Sequence, residues 1–154
     1  MTGTASEGLR QPFGNMRFRV EIDGLPGGAA LEVIFPEARL SGQRGKRVVR
    51  FGNLIIKRGL TRSTDWYDWW DAARRAQRPP RRSLRVTLLD SGGRDASAWL
   101  FGDAAPVAYQ LSPLNALGNA AVTETLELSV GSFAAYSGTA APGQNRSRRR
   151  SAAG

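Results

Sequence analysis

The sequence predicts a mainly β protein, a small antiparallel β-barrel or sandwich with one flanking amphipathic α-helix. Three observations lead there. Short segments of alternating apolar and polar residues recur along the chain, separated by clusters of Gly, Pro, Asp and Ser. Only the stretch after Thr64 follows a helical period instead. The length of 154 residues suits one domain, since a chain of about that size buries roughly 68–70% of its unfolded surface and needs no staples.

The elements follow in order. Met16, Phe18, Val20 and Ile22 face one way and Arg17, Arg19 and Glu21 the other, the signature of a half-buried strand. Asp23 to Gly28 breaks it as a turn. Leu31, Val33 and Phe35 define a second strand, closed by Pro36. Ser41 to Lys46 reads as a flexible basic loop. Arg47–Phe51 and Asn53–Arg58 read as strands parted by Gly52, and the run Leu54-Ile55-Ile56 suggests burial on both faces.

The helix has a capping residue in Ser63 or Thr64, whose side-chain oxygen can accept an orphan backbone N–H. Asp65, Asp68 and Asp71 occupy its first half and Arg74, Arg75 and Arg78 its second, which complements the helix dipole. Trp66, Trp69, Trp70 and Ala73 make one apolar stripe. Pro79-Pro80 ends the helix, because proline lacks the N–H and restricts its predecessor. Leu84–Leu89 and Ala96–Phe101 then form a hairpin about Asp90–Arg94. Val107–Leu111 and Val122–Val130 complete seven or eight strands, the last with Val122, Glu124, Leu126, Leu128 and Val130 on one face. Residues 1–12 are expected to be a flexible N-terminus, 13–137 the domain and 138–154 a disordered basic tail without apolar periodicity.

Composition narrows function. The chain has no Cys and no His, so thiolate chemistry, Zn–Cys clusters and the commonest general base are missing. Carboxylates and lysine can still catalyse, so an enzyme is only the third reading, and no cofactor, metal or small-molecule substrate is expected. No apolar run approaches the ~20 residues of a membrane-spanning helix, and the N-terminus shows no secretory h-region. Cytoplasmic assembly is the expectation.

The net charge of +9 is segregated: fifteen Lys and Arg against four acids in residues 38–94, then four acids and no base in residues 95–145. Such a chain carries complementary regions that can meet within one fold or between copies. Nucleic acid is the competing partner of a basic protein, and an ordinary solvated surface is the plainest account. The Trp stripe could stack bases, but an amphipathic helix must bury such a face, so Trp66, Trp69 and Trp70 are expected to anchor the core. Arg78 to Arg82 could grip phosphate or simply form a charged helix exit. The Gly-rich stretches lack the context of a phosphate loop and are turns.

Four segments carry a resemblance. FGNLIIKRGLTRSTDWYDWW, with NMRFRVEIDGL before it and LRVTLLDSGGR and PVAYQLSPLNALGNAAVTETLELSVGSF after it, resembles the tail tube proteins of contractile phages and related contractile injection systems. Gly52, Asn53, Lys57, Arg58 and Gly59 match the strand motif of that family. Tyr67, Trp69 and Trp70 match its helix, and Asp90 with Gly92 its hairpin. Leu114, Asn115, Ala116, Asn119, Val122, Glu124, Leu126, Glu127 and Leu128 match its closing strand.

The resemblance implies a subunit of a hexameric ring whose inner strands close a barrel around a lumen, with rings stacked into a tube. Implied partners are further copies of the chain, sheath and baseplate proteins, and cargo or DNA in the lumen. The arm that reaches a neighbouring subunit in the family is short here, Glu37 to Phe51, which leaves a baseplate-proximal tube-initiator paralogue as an alternative. A nucleic-acid-binding β-barrel is the alternative from another class. Arg44, Lys46 and Arg47, in the arm loop, are the expected intersubunit contacts.

Overall fold

The computed structural model describes residues 17–26, 30–78 and 80–138. The expected flexible N-terminus, Met16 and the basic tail from residue 139 onward lie outside them. The described elements run β1 (Phe18–Ile22), β2 (Glu32–Ile34), β3 (Ala38–Ser41), β4 (Val48–Phe51), β5 (Leu54–Gly59), α1 (Asp65–Arg75), β6 (Arg82–Leu89), β7 (Asp95–Leu111), β8 (Thr123–Ser129) and β9 (Ser132–Ser137). The mainly β antiparallel fold with one helix is the class that the sequence predicts.

β7 organises the sheet. The sequence suggests two strands, Ala96–Phe101 and Val107–Leu111, but they are parts of one strand of 17 residues. The small residues between them look like a break, yet strand pairing continues through them. Asp103 takes a φ of 52°, and a bulge falls between Pro106 and Ala108. Bulges bend a strand and increase its twist, so one strand can serve two half-sheets. The first half of β7 lies between β6 and β9, with β1 outside β6. The second half pairs with β8, followed by β5 and then β2. At Gly102 a Cβ would lie 2.3 Å from the side-chain hydroxyl oxygen of Ser132 on β9, so a larger residue there would require that serine to move.

One core joins both halves. Val20, Ile22, Leu84, Val86 and Phe101 meet Leu54, Ile56, Leu126 and Leu128, and Trp66 and Trp69 of α1 complete the cluster. β8 alternates as its sequence does, with Glu124, Leu126 and Leu128 buried. β5 corrects an expectation: Leu54 and Ile56 are buried but Ile55 is only half-buried. Its neighbours across the sheet, Ile34 and Glu127, share that more open face.

α1 begins after Thr64, as expected; Thr64 makes no side-chain cap, and it is the Ser63 hydroxyl that accepts the Asp65 N–H, at 3.4 Å. The Thr64 hydroxyl instead donates to Asp68 Oδ2 at 3.0 Å. The helix ends at Arg75, so Arg78 belongs to the exit and not to the last turn. Trp70 is half-buried against the core that Trp66 and Trp69 enter. No helix among the described residues is long and apolar enough to cross a membrane.

Two strands went unforeseen. β9 follows β8 after a single turn. β3 occupies residues between Pro36 and the basic loop, and pairs only with β4 in a separate two-stranded sheet.

Candidate assembly surfaces

A buried polar network ties the helix to the second half-sheet. Arg58 Nε donates to Glu124 Oε1 at 2.5 Å, and Arg58 Nη2 donates to Asp65 Oδ1 at the start of α1. Tyr109 of β7 donates its hydroxyl proton to the other Glu124 oxygen at 2.7 Å. The Arg58 guanidinium carbon lies 4.1 Å from the Trp66 ring centroid, within cation–π range. Glu124 is 1% exposed, and a carboxylate so deep costs several kcal/mol unless it is paired. Here both of its oxygens are occupied.

The network also sets protonation. Burial opposes the charge on Arg58, but its hydrogen bonds to Asp65 and Glu124 outweigh burial and raise its pKa. Burial likewise works against the Asp65 carboxylate, and the Arg58 contact prevails, holding it below its ordinary value. Burial, reinforced by the bond to Glu124, pushes the Tyr109 phenol up. The expectation that Asp65 serves the helix dipole is therefore incomplete, since it is chiefly the partner of Arg58.

The second half-sheet ends in two unpaired edges. β2 pairs only with β5, and beyond Ala104 β7 pairs only with β8. Val107 and Leu111 on one edge strand and Ile34 on the other are exposed. The face of this half-sheet turned from the core carries Ile34, Ile55, Ala108, Thr125 and Gln110 on paired positions. Its charges are modest: Lys57 lies 3.8 Å from Glu32, and Asn53 donates to Glu127 at 3.1 Å. No arginine projects from it among the described strand residues.

The β3–β4 hairpin stands apart. Cross-strand pairing puts Ala38, Leu40, Val49 and Phe51 on one face and Arg39, Ser41, Val48 and Arg50 on the other. Leu40 and Val49, directly opposite each other, are 54% and 53% exposed. Its base is fixed by the Gly52 N–H donating to the Glu37 carbonyl at 2.8 Å. Beside it the Phe35 ring sits 4.9 Å from that of Trp99. Arg44, Lys46 and Arg47 all lie in or beside the hairpin's tip, exposed and together.

The remaining motif residues scatter by role. Gly52, Asn53, Lys57, Arg58 and Gly59 follow β5 from the hairpin base to the strand end, and Glu124 and Glu127 lie on opposite faces of β8. Asn115 shapes the β7–β8 loop: its side-chain oxygen accepts the Leu117 N–H at 3.0 Å and its carbonyl accepts the Gly118 N–H at 3.1 Å. Asn119 is exposed in the same loop. Sequence reasoning missed Tyr109 and the pairing of Asp65. One signal pointed that way, because a glutamate on the apolar face of β8 requires a buried partner.

Solved structures share this fold. The chain is similar to one in an extracellular contractile injection system, the PVC sheath–tube complex in its extended state. The TM-score is 0.67 at 15% identity, covering 89% of this chain and 99% of that one. A chain of the anti-feeding prophage baseplate gives 0.61 at 19% identity, covering 82% and 97%. Hcp1 from Flavobacterium johnsoniae gives 0.61 at 17%, covering 79% and 96%. The fold is thus one that this chain shares with chains of contractile injection machines.

No curated protein sequence matches it. The family described as T4-like virus tail tube protein gp19 matches residues 14–134, and the chain belongs to that family. Its role is that of a tube subunit.

Proposed function

We propose that six copies close a ring around a lumen and that rings stack into the inner tube of a phage tail or phage-like injection particle. The observation that carries this reading is the pair of open edges on one half-sheet. An unpaired edge invites strand addition, and β2 of one copy beside β7 of the next makes a continuous barrel. The core side of that half-sheet is covered, so its other face is the one available to line the lumen. That face bears a paired lysine and no arginine, which suits passage of DNA or protein without retention.

The role is structural, not enzymatic, and sheath and baseplate proteins are the partners outside the tube. Assembly takes place in the cytoplasm before the particle is complete. The short arm favours a second reading, a ring near the baseplate that starts the tube. Arg44, Lys46 and Arg47 act in intersubunit contact, since the hairpin holds them clear of the body.

Light scattering and electron microscopy of the purified chain test the proposal. Rings of about 100 kDa are expected, six copies of the 16.7 kDa chain. A monomer that binds DNA with a steep salt dependence would replace the ring by a basic nucleic-acid-binding barrel.

A further inference from the structure

Strand direction separates two apolar features. β5 runs from Leu54 to Gly59, and the β3–β4 hairpin enters it at the Leu54 end. Gly59 pairs with Thr123, the first residue of β8, so the β7–β8 loop sits at the opposite end. Six extended residues place those ends roughly 17 Å apart. The chain therefore has two poles along its strands.

Each pole carries apolar side chains that its own fold leaves uncovered. At the β7–β8 pole, Leu114 is 82% and Leu117 97% exposed. Neither is on a loose segment, because Asn115 caps the turn between them and Ser112 is bonded to Thr123 in both directions at 2.9 Å. Exposed Leu60 belongs to the same pole, its N–H donating to the Val122 carbonyl. From Ala104 to Thr123 the chain carries no charge. At the other pole, Leu40 and Val49 hold the open face of the hairpin. A two-stranded hairpin is marginal in water by itself, so this one needs a covering surface.

The charges divide the same way. The hairpin pole carries Arg44, Lys46 and Arg47 at its tip. At the other pole stands the first turn of α1, where Arg62 and Asp68, both exposed and without an ion pair among the described residues, offset each other and leave no comparable excess of positive charge. Unlike surfaces at the two ends of one chain form a heterologous contact that repeats without closing, as an open-ended stack requires.

We infer that the Leu114–Leu117 turn of one copy docks on the Leu40–Val49 face of the hairpin from the next ring. This contact rests on the ring reading and gives it a defined axial joint. The Asp68 side of that pole then receives the basic tip.

The chain contains no cysteine, so introduced thiols report the contact cleanly. Leu117→Cys paired with Leu40→Cys or with Val49→Cys is assembled in the full-length chain and treated with a short bis-maleimide. Ladders at multiples of 16.7 kDa are expected from stacked tubes, and not from isolated rings or single variants. A companion variant, Leu114→Asp with Leu117→Asp, should keep ring size and thermal midpoint while stacks give way to single rings. Tubes that yield no ladder with either pair overturn the axial joint and leave the ring intact. So do ladders from isolated rings, which would make the contact lateral, and full-length stacks from the aspartate variant. Absence of rings from the unmodified chain would bring down the ring reading itself, and this joint with it.

Discussion

The Arg58 network and the β3–β4 hairpin are opposite solutions to the same problem. In the network, four side chains from β5, β7, β8 and α1 close on one another, and no partner outside the chain is required. The hairpin keeps its backbone bonds and pairs Arg39 with Glu37, but it leaves Leu40 and Val49 open and the tip cations Arg44, Lys46 and Arg47 without an ion pair among the described residues. The network meets the need of its buried carboxylate internally, while the hairpin leaves apolar side chains that only another surface can cover. The comparison separates residues that hold the subunit together from residues that its own fold leaves uncovered.

Removing the deepest charge should break the first region. Glu124→Ala strands Arg58 and Tyr109 and is expected to cost about 3–5 kcal/mol, read as a fall in chemical-denaturation midpoint. A loss below about 1 kcal/mol, the ordinary net worth of a single hydrogen bond, would mean that the network is not what fastens α1.

Asp65→Asn comes next, at about 2 kcal/mol for a charged hydrogen bond, and its effect depends on pH. Asp65 has its folded pKa lowered from 3.8. Its contribution is therefore complete above about pH 4 and is lost as pH falls through the folded value. Thermal melts from pH 7 to pH 2 should show the variant and parent converging at the acid end. Constant separation across that range would contradict the pairing.

Tyr109→Phe removes one donor to Glu124 and is expected to cost about 1 kcal/mol, with no change in ring size. The smallest stability effect belongs to the hairpin tip. Neutralising Arg44, Lys46 and Arg47 together should move stability by no more than about 0.5 kcal/mol, yet weaken assembly seen by electron microscopy. Parent-like stacks from that triple variant would remove those residues from the contact.

Much of the fold was legible because local periodicity carries it. The β8 alternation, the Trp66–Trp69 stripe and the Asp90 turn are decided within a few residues, and the structure repeats them. Asp90 accepts the Gly92 and Arg94 N–H groups at 2.9 and 2.8 Å, making the turn its sequence suggests. β7 was harder. Gly102 to Pro106 carries breaker residues, and pairing to β6, β8 and β9 keeps it in the strand. β3 was hidden because its alternation spans only the four residues Ala38–Ser41, between Pro36 and a glycine-containing loop.

The class of fold, the helix and the segregation of charge are written in the order of residues, since each depends on neighbours along the chain. That order also carries the family motifs. Which of those motif residues meet was decided in three dimensions: Arg58 finds Asp65 seven residues away and Glu124 sixty-six away. The same is true of the open edges and the two poles. A strand's unused edge and the end of the sheet at which a loop emerges are set by pairing order, and pairing order follows from burial of the whole core.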